Sequence, residues 1–272
     1  MILVNGKTED RIAITDRGLQ YGDGLFETIA YRTGIAEFLQ QHIERLLLGC
    51  EKLGINFTHV DQLEHDITQI SNDLANNDGV IKIIITRGSG GRGYFASPDL
   101  TATRIVSSHP LPSYPTENTA KGIIARFCQH QLSDNVHLAG IKHLNRLDQV
   151  LARNEWTDPT IAEGLMSNAD GNIVEGTMSN LFVVLDNKLM TPLLTHAGIA
   201  GIIRARLITI AQDYGLEFEQ RDISRSDITN AQELFVCNSI IGIWPIRLIE
   251  TRSYPVGPIT QLLQNLLSKS PK

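Results

Sequence analysis

The chain has 272 residues, with 24 lysines and arginines against 30 aspartates and glutamates and a formal net charge of −6. It has no basic cluster that could follow a phosphate backbone, which argues against a nucleic-acid partner; the length suffices for one large or two ordinary domains with their own cores. Cys50, Cys128 and Cys237 are far apart, odd in number and in no metal-ligand spacing, so they read as packed thiols of a reducing compartment. No apolar run is long enough to span a bilayer, and a soluble, cytoplasmic protein is expected.

Residues 1–6 read as a short strand ending in the turn pair Asn5-Gly6, and Ile12 to Ile14 read as another strand. In the stretch that follows, Gly18, Gly22 and Gly24 require a tight turn or a close approach, because each costs folding entropy otherwise. From the residues alone, an ordinary turn loop fits this stretch as well as the border of a site. Glu37 to Leu53 places Leu39, Ile43, Leu46, Leu47, Cys50 and Leu53 at helical spacing and stops at Gly54, with Arg45 beside the apolar stripe.

A second helix is predicted over 61–75, a turn over Asn76 to Gly79, and a buried isoleucine-rich strand over Val80 to Thr86. Gly88, Gly90 and Gly93 then satisfy G-x-G-x-x-G after a strand. The dinucleotide reading fails in context, because no helix opens after the glycines and position 108 is a serine where an acidic residue is needed. The segment reads better as a mobile loop presenting Arg92 and Tyr94 to an anionic substrate, since a guanidinium and a phenolic hydroxyl suit a carboxylate.

After a strand over Thr103 to Ser107, Pro110, Pro112 and Pro115 mark an extended linker and a domain boundary. Strand Gly122 to Arg126 opens the second half, and residues 161–192 alternate and turn like a β-meander, with hairpin turns at Ala169 to Asn172 and at Asp186-Asn187. Glu175 lies inside it. Gly198 to Ile203 precedes a helix that runs to about Tyr214 and stops at Gly215, its N-terminal N–H groups suited to an anion. Glu233 to Val236 is a strand leading to Cys237, Asn238 and Ser239, and a last helix covers about 258–268. Repeats and low-complexity tracts are absent.

The most informative residue is Lys142. It stands where a strand-like run (Leu138, Ala139, Ile141) passes through Gly140 into a helical pattern with Leu144, Leu147, Val150 and Leu151 on one face. Burial at such a joint favours the free amine, a nucleophile and half of a Schiff base. The run Gly140, Ile141, Lys142, His143, Leu144, Asn145, Arg146, Leu147 resembles the lysine segment of the aminodeoxychorismate lyases. These belong with the branched-chain and D-amino acid aminotransferases to the fold-type IV pyridoxal-phosphate family. The likeness extends to segments at 14–28, 42–46, 86–94, 173–182, 191–204 and 233–245.

This resemblance implies an α/β (α+β) fold: a smaller N-terminal α/β domain over 1–109, a proline-rich linker over 110–118, and a larger C-terminal domain over 119–272 built on a β-rich pseudo-barrel. Pyridoxal 5'-phosphate is expected between the domains of a homodimer whose active site lies near the interface. By the same resemblance Lys142 bonds the cofactor, and Arg45, Gly201, Ile202, Ile203, Asn238 and Ser239 bind its phosphate. Glu175 meets the pyridine nitrogen and keeps it protonated, while Arg92 and Tyr94 hold the substrate. Ile240 and Ile241 are larger than the family's usual residues, which implies a differently shaped pocket. The implied activity converts 4-amino-4-deoxychorismate to 4-aminobenzoate and pyruvate in folate biosynthesis, with Lys142 as base and Lys142 or Thr28 supplying the leaving group's proton. An aminotransferase using the same cofactor residues stays open, as do a dinucleotide-dependent oxidoreductase and an inactive ligand-binding relative.

Overall fold

The computed structural model describes residues 1–75 and 77–270. The described residues divide into two compact units: Met1–Pro112 together with Ile141–Asn145, and Ser113–Gly140 together with residues 146–270. The segment carrying Lys142 thus groups with the first unit, although its neighbours in sequence belong to the second.

In the first unit β1 (Ile2–Val4) and β2 (Lys7–Thr8) form a hairpin across Asn5 and Gly6. Both turn residues have positive φ, as a two-residue hairpin turn demands. Ile12 to Ile14 is not a strand. Ile14 is 78% exposed, and the segment instead delivers Asp16 to the hydroxyls of Thr86 and Thr103. Helix α1 (Arg17–Tyr21) follows, capped by the Asp16 carboxylate and ended by left-handed Gly22.

Strands β3 (Gly24–Arg32) and β4 (Ile35–Ala36), helices α2 (Leu39–Leu53) and α3 (Val60–Leu74), and strands β5 (Gly79–Thr86) and β6 (Thr103–Pro110) complete the unit. The sheet runs β2-β1-β6-β5-β3-β4 with every pair antiparallel. The predicted turn at Asn76 to Gly79 includes Asn76, which lies outside the described residues. β6 continues beyond the predicted end at Ser107: His109 and Pro110 pair with Val80 and Gly79, so the first proline of the expected linker ends a strand, a position that needs no further N–H. Leu25, Ile29, Ile81, Ile83, Ile85 and Val106 on one sheet face pack with Ile43, Leu46 and Cys50 of α2 and Leu63, Ile67 and Ile70 of α3.

The second unit contains α4 (Glu117–Lys121), β7 (Ile123–Phe127), α5 (Leu147–Arg153), β8 (Ile161–Ser167), β9 (Ile173–Gly176), β10 (Asn180–Leu185) and β11 (Lys188–Pro192). It continues with α6 (Ile202–Asp213), β12 (Phe218–Arg221), α7 (Arg225–Asn230), β13 (Glu233–Asn238), β14 (Gly242–Ile249), β15 (Arg252–Ser253) and α8 (Pro258–Lys269). β8 to β11 form the expected meander, with Asp186 and Asn187 at positive φ in the last hairpin. The strands β10, β13, β14, β7, β8 and β9 pair in sequence, and β9 pairs again with β10, so they close into a barrel. The closing contact is the single pair Glu175 and Asn180. Because β7 and β8 are parallel, their connection must be a long crossover; it contains Lys142 and α5.

Candidate active site

Lys142 is carried by a short extended segment laid along β3, not by a joint of strand and helix. The Phe26 N–H donates to the Lys142 carbonyl and the Leu144 N–H to the Gly24 carbonyl, both at 3.0 Å, with a bridge between Leu25 and His143. This segment covers the part of β3's edge that the short β4 leaves open. The predicted strand over Leu138 to Ile141 is replaced by a turn over 136–139 and by Gly140 at φ +79°. Half-buried Lys142 holds its Nζ 4.1 Å from the centre of the Phe26 ring, within the range of cation–π attraction. Alternation along the strand puts Thr28 on the Phe26 face of β3.

Glu27 falls on the opposite, core face of β3, under α2, and is 1% exposed. His42 and Arg45, three residues apart on α2, both meet it: His42 Nδ1 lies 2.6 Å from Oε2, while Arg45 donates to Oε1 from Nε at 2.8 Å and to Oε2 from a terminal nitrogen. Burial alone would raise the Glu27 carboxyl, but the Arg45 charge and the bonds from His42 and Arg45 outweigh it and hold it at about 2. Burial lowers His42 against the pull of Glu27. His42 Nδ1 thus faces a carboxylate that the Arg45 charge keeps strongly acidic. The Arg45 fork, read from sequence as a phosphate ligand, thus has one side committed to Glu27.

The glycine-rich stretches are tied together by charge. Asp23 accepts from Arg17 and Arg87, whose pull overcomes burial and lowers its pKa. Buried Arg17 also donates to the carbonyls of Gly93 and Tyr94, at 3.0 and 2.9 Å, and its guanidinium lies over the Tyr21 ring. Arg92 is exposed and Tyr94 is 88% exposed, touching Tyr21 ring to ring. As expected, the loop opens no helix.

In the second unit Glu175 is 3% exposed at the barrel's closure and accepts the Ile199 N–H at 2.8 Å. The loop before α6 is fixed by two neighbours: Asn180 Nδ2 donates to the Ile199 carbonyl, and Gly140 exchanges backbone hydrogen bonds with Gly198 and Ala200. Gly201 is the α6 N-cap, with no side-chain cap, and leads into Ile202 and Ile203; a Cβ on it would lie 2.0 Å from Asn180 Oδ1, so a side chain there would force Asn180, which holds the Ile199 carbonyl, to move. Asn238 donates to the Met178 carbonyl and accepts the N–H groups of Ile240 and Ile241, folding residues 238–241 into a turn around Ser239. Helix α5 does not bury the predicted stripe: Leu147, Val150 and Leu151 are at least 49% exposed. Its inward positions are Asp148, bonded to His130 and Ser133, Gln149, bonded to Glu175, and the packed Ala152.

Sequence reasoning missed Glu27, Glu163 and Gln149. Glu27 left a signal, a glutamate in phase with core-facing Leu25 and Ile29. Glu163 is fully buried and accepts from Gly164 N–H, Thr177 N–H and hydroxyl, and the Ser179 hydroxyl at 2.6 to 2.9 Å, which shapes the turn from Glu175 to Asn180.

The chain belongs to the class IV amino-transferase family, whose model matches residues 24–249; that family depends in general on pyridoxal phosphate. It is similar to the 4-amino-4-deoxychorismate lyase of Pseudomonas aeruginosa, with 41% identity, 99% of each chain covered and a TM-score of 0.95. The aminodeoxychorismate lyase of Vibrio harveyi is 33% identical over 98% of this chain and 100% of its own. A D-alanine aminotransferase of Bacillus licheniformis is 27% identical over 99% and 96%.

Proposed function

We propose that the chain is a pyridoxal-phosphate-dependent lyase that converts 4-amino-4-deoxychorismate to 4-aminobenzoate and pyruvate in folate biosynthesis. The observation that carries this reading is the end-to-end likeness to two lyases of that name, at 41% and 33% identity. The residues present suit the cofactor: an amine over an aromatic ring, a buried carboxylate, a glycine-opened helix N-terminus and an asparagine-built turn. When bound, pyridoxal phosphate supplies an electron-accepting ring for the charge that develops at the substrate carbon beside the nitrogen.

Lys142 would hold the cofactor through its amine, and the same amine is the base placed to remove the substrate's C4 proton. Glu175 would accept the hydrogen bond of the ring N–H and so favour the cationic ring. Arg45, the backbone of Gly201, Ile202 and Ile203, and Asn238 and Ser239 hold the phosphate. Arg92 and Tyr94 hold the substrate carboxylates. Loss of the enolpyruvyl group creates an aromatic ring, which drives the elimination, and Lys142 or Thr28 delivers the proton the leaving group takes up. The enzyme is a cytoplasmic homodimer whose active site lies near the interface.

The likeness to a D-alanine aminotransferase supports a second reading, amino-group exchange. Incubation with 4-amino-4-deoxychorismate and no 2-oxo acid separates the two. The lyase releases many equivalents of 4-aminobenzoate and pyruvate per active site. Sustained exchange between common amino acids and 2-oxo acids, with no such release, would overturn the lyase reading.

A further inference from the structure

Glu175 is gripped at both oxygens. Oε2 accepts the Ile199 N–H at 2.8 Å, and Oε1 faces the Gln149 amide nitrogen at 3.3 Å. With the amide turned this way, Gln149 Oε1 is buried and has no hydrogen-bond donor among the described residues. A buried acceptor left unmet is expensive, and folded proteins avoid it where they can. Turning the amide over would not relieve the cost here, because it would set carbonyl oxygen against carboxylate oxygen. Glu175 therefore dictates the orientation of Gln149.

The surrounding charges act in the same direction. Burial lowers the pKa values of Arg146 and Arg204, and Glu175 is among the groups that raise both, so its carboxyl group lies in the field of two guanidiniums. Gln149 is itself held in place, because its neighbour Asp148 is bonded to His130 and Ser133 and Ala152 is buried.

We infer that Gln149 is a positioning residue for Glu175, fixing its rotamer and supplying a hydrogen bond that keeps its carboxylate a weak proton acceptor. This rests on the reading of Glu175 as partner of the cofactor's ring nitrogen. In a pair N–H⁺···⁻O–C, each further donor to the carboxylate lowers its proton affinity and leaves the proton on the nitrogen. A ring that keeps its proton is the stronger electron acceptor. Removing Gln149 takes away the donor on Oε1, loosens the hold on the rotamer and makes the carboxylate more basic, so the proton shifts away from the ring.

The test uses holoenzyme loaded with pyridoxal phosphate isotopically labelled at the ring nitrogen, whose NMR shift reports where the proton lies. Glu175→Gln serves as the reference, and Gln149→Leu and Gln149→Met as the test variants. The expected result is a cationic ring in the parent and a shift towards neutral pyridine in Glu175→Gln. Both Gln149 variants should show a partial shift the same way, with cofactor affinity about tenfold weaker, the lower end for a hydrogen bond to a charged group. If Glu175→Gln moves the signal and neither Gln149 variant does, the inference fails while the reading of Glu175 stands, even if the variants melt earlier. If Glu175→Gln leaves the signal in place, the reading of Glu175 fails and the inference with it.

Discussion

Glu27 and Glu163 are both core carboxylates, 1% and 0% exposed, one in each unit, and each holds residues for which a role is proposed. Glu27 faces His42 and Arg45 of α2, and the cation wins over burial, so the acid is held at about 2. Glu163 has only neutral donors: the hydroxyls of Thr177 and Ser179 and backbone N–H groups. There burial prevails and the pKa is raised. The contrast separates two roles that are often merged. Hydrogen bonds make a buried carboxylate tolerable, whereas a counter-charge makes it strongly acidic. It also suits the different tasks, since Glu27 fixes a cation and Glu163 shapes a turn. In that turn a Cβ on Gly176 would lie 2.6 Å from Glu163 Oε2, so the carboxylate and the glycine are matched.

The sharpest way to break the comparison is to neutralise both acids without changing their shape. Glu27→Gln removes the anion facing Arg45 and should destabilise the protein by about 3–5 kcal/mol, as breaking a buried ion pair does. Glu163→Gln should cost about 1–3 kcal/mol, because its NH₂ can take the Oε2 position, where the Ser179 hydroxyl can turn to accept and only the Met178 N–H is a fixed donor, and no charge is left behind. Urea unfolding of both variants measures the gap, and equal losses would mean that the Arg45 charge contributes nothing special.

The pH dependence should run in opposite directions for the two. Between the ordinary value of 4.5 and about 2 the folded chain holds fewer protons at Glu27 than the unfolded chain does. The stabilisation is therefore complete above 4.5 and is lost as the pH falls to about 2, and integration gives about 3 kcal/mol. The raised Glu163 has the reverse sign: the folded chain holds more protons there, and its contribution declines as the pH rises above 4.5. Unfolding free energies measured from about pH 2 to well above 4.5 for the parent and the two glutamine variants should show each slope disappearing with its own residue.

The smallest effect tests burial with neither charge nor strong hydrogen bonds. Burial pushes the Cys50 and Cys128 thiols up to about 12 and Cys237 further. Iodoacetamide should leave all three unmodified in the folded protein and label them after unfolding, as read by mass spectrometry; fast labelling of any one in the folded state would show that its site opens.

Local signals in the sequence determined much of the element list. The period of α2 with its Gly54 stop, the Asn5-Gly6 and Asp186-Asn187 turns, and the end of α6 before Gly215 depend on neighbours within a few residues, and they stand as read. The family resemblance pointed to Lys142, Arg45 and Glu175 because each stands in a short run of residues that matches one of the family's. Periodicity says which residues share a face, but not what that face meets. Tertiary structure alone decided that Ile12 and Ile14 find no strand partner and that α5 turns Gln149 inward and its leucines out. It also decided that Pro110 enters β6 and that Glu27 meets α2 across 15 and 18 residues of chain. The physical reason is the same in each case: the partner is brought up by sheet register and barrel closure, and these depend on pairings distant in sequence.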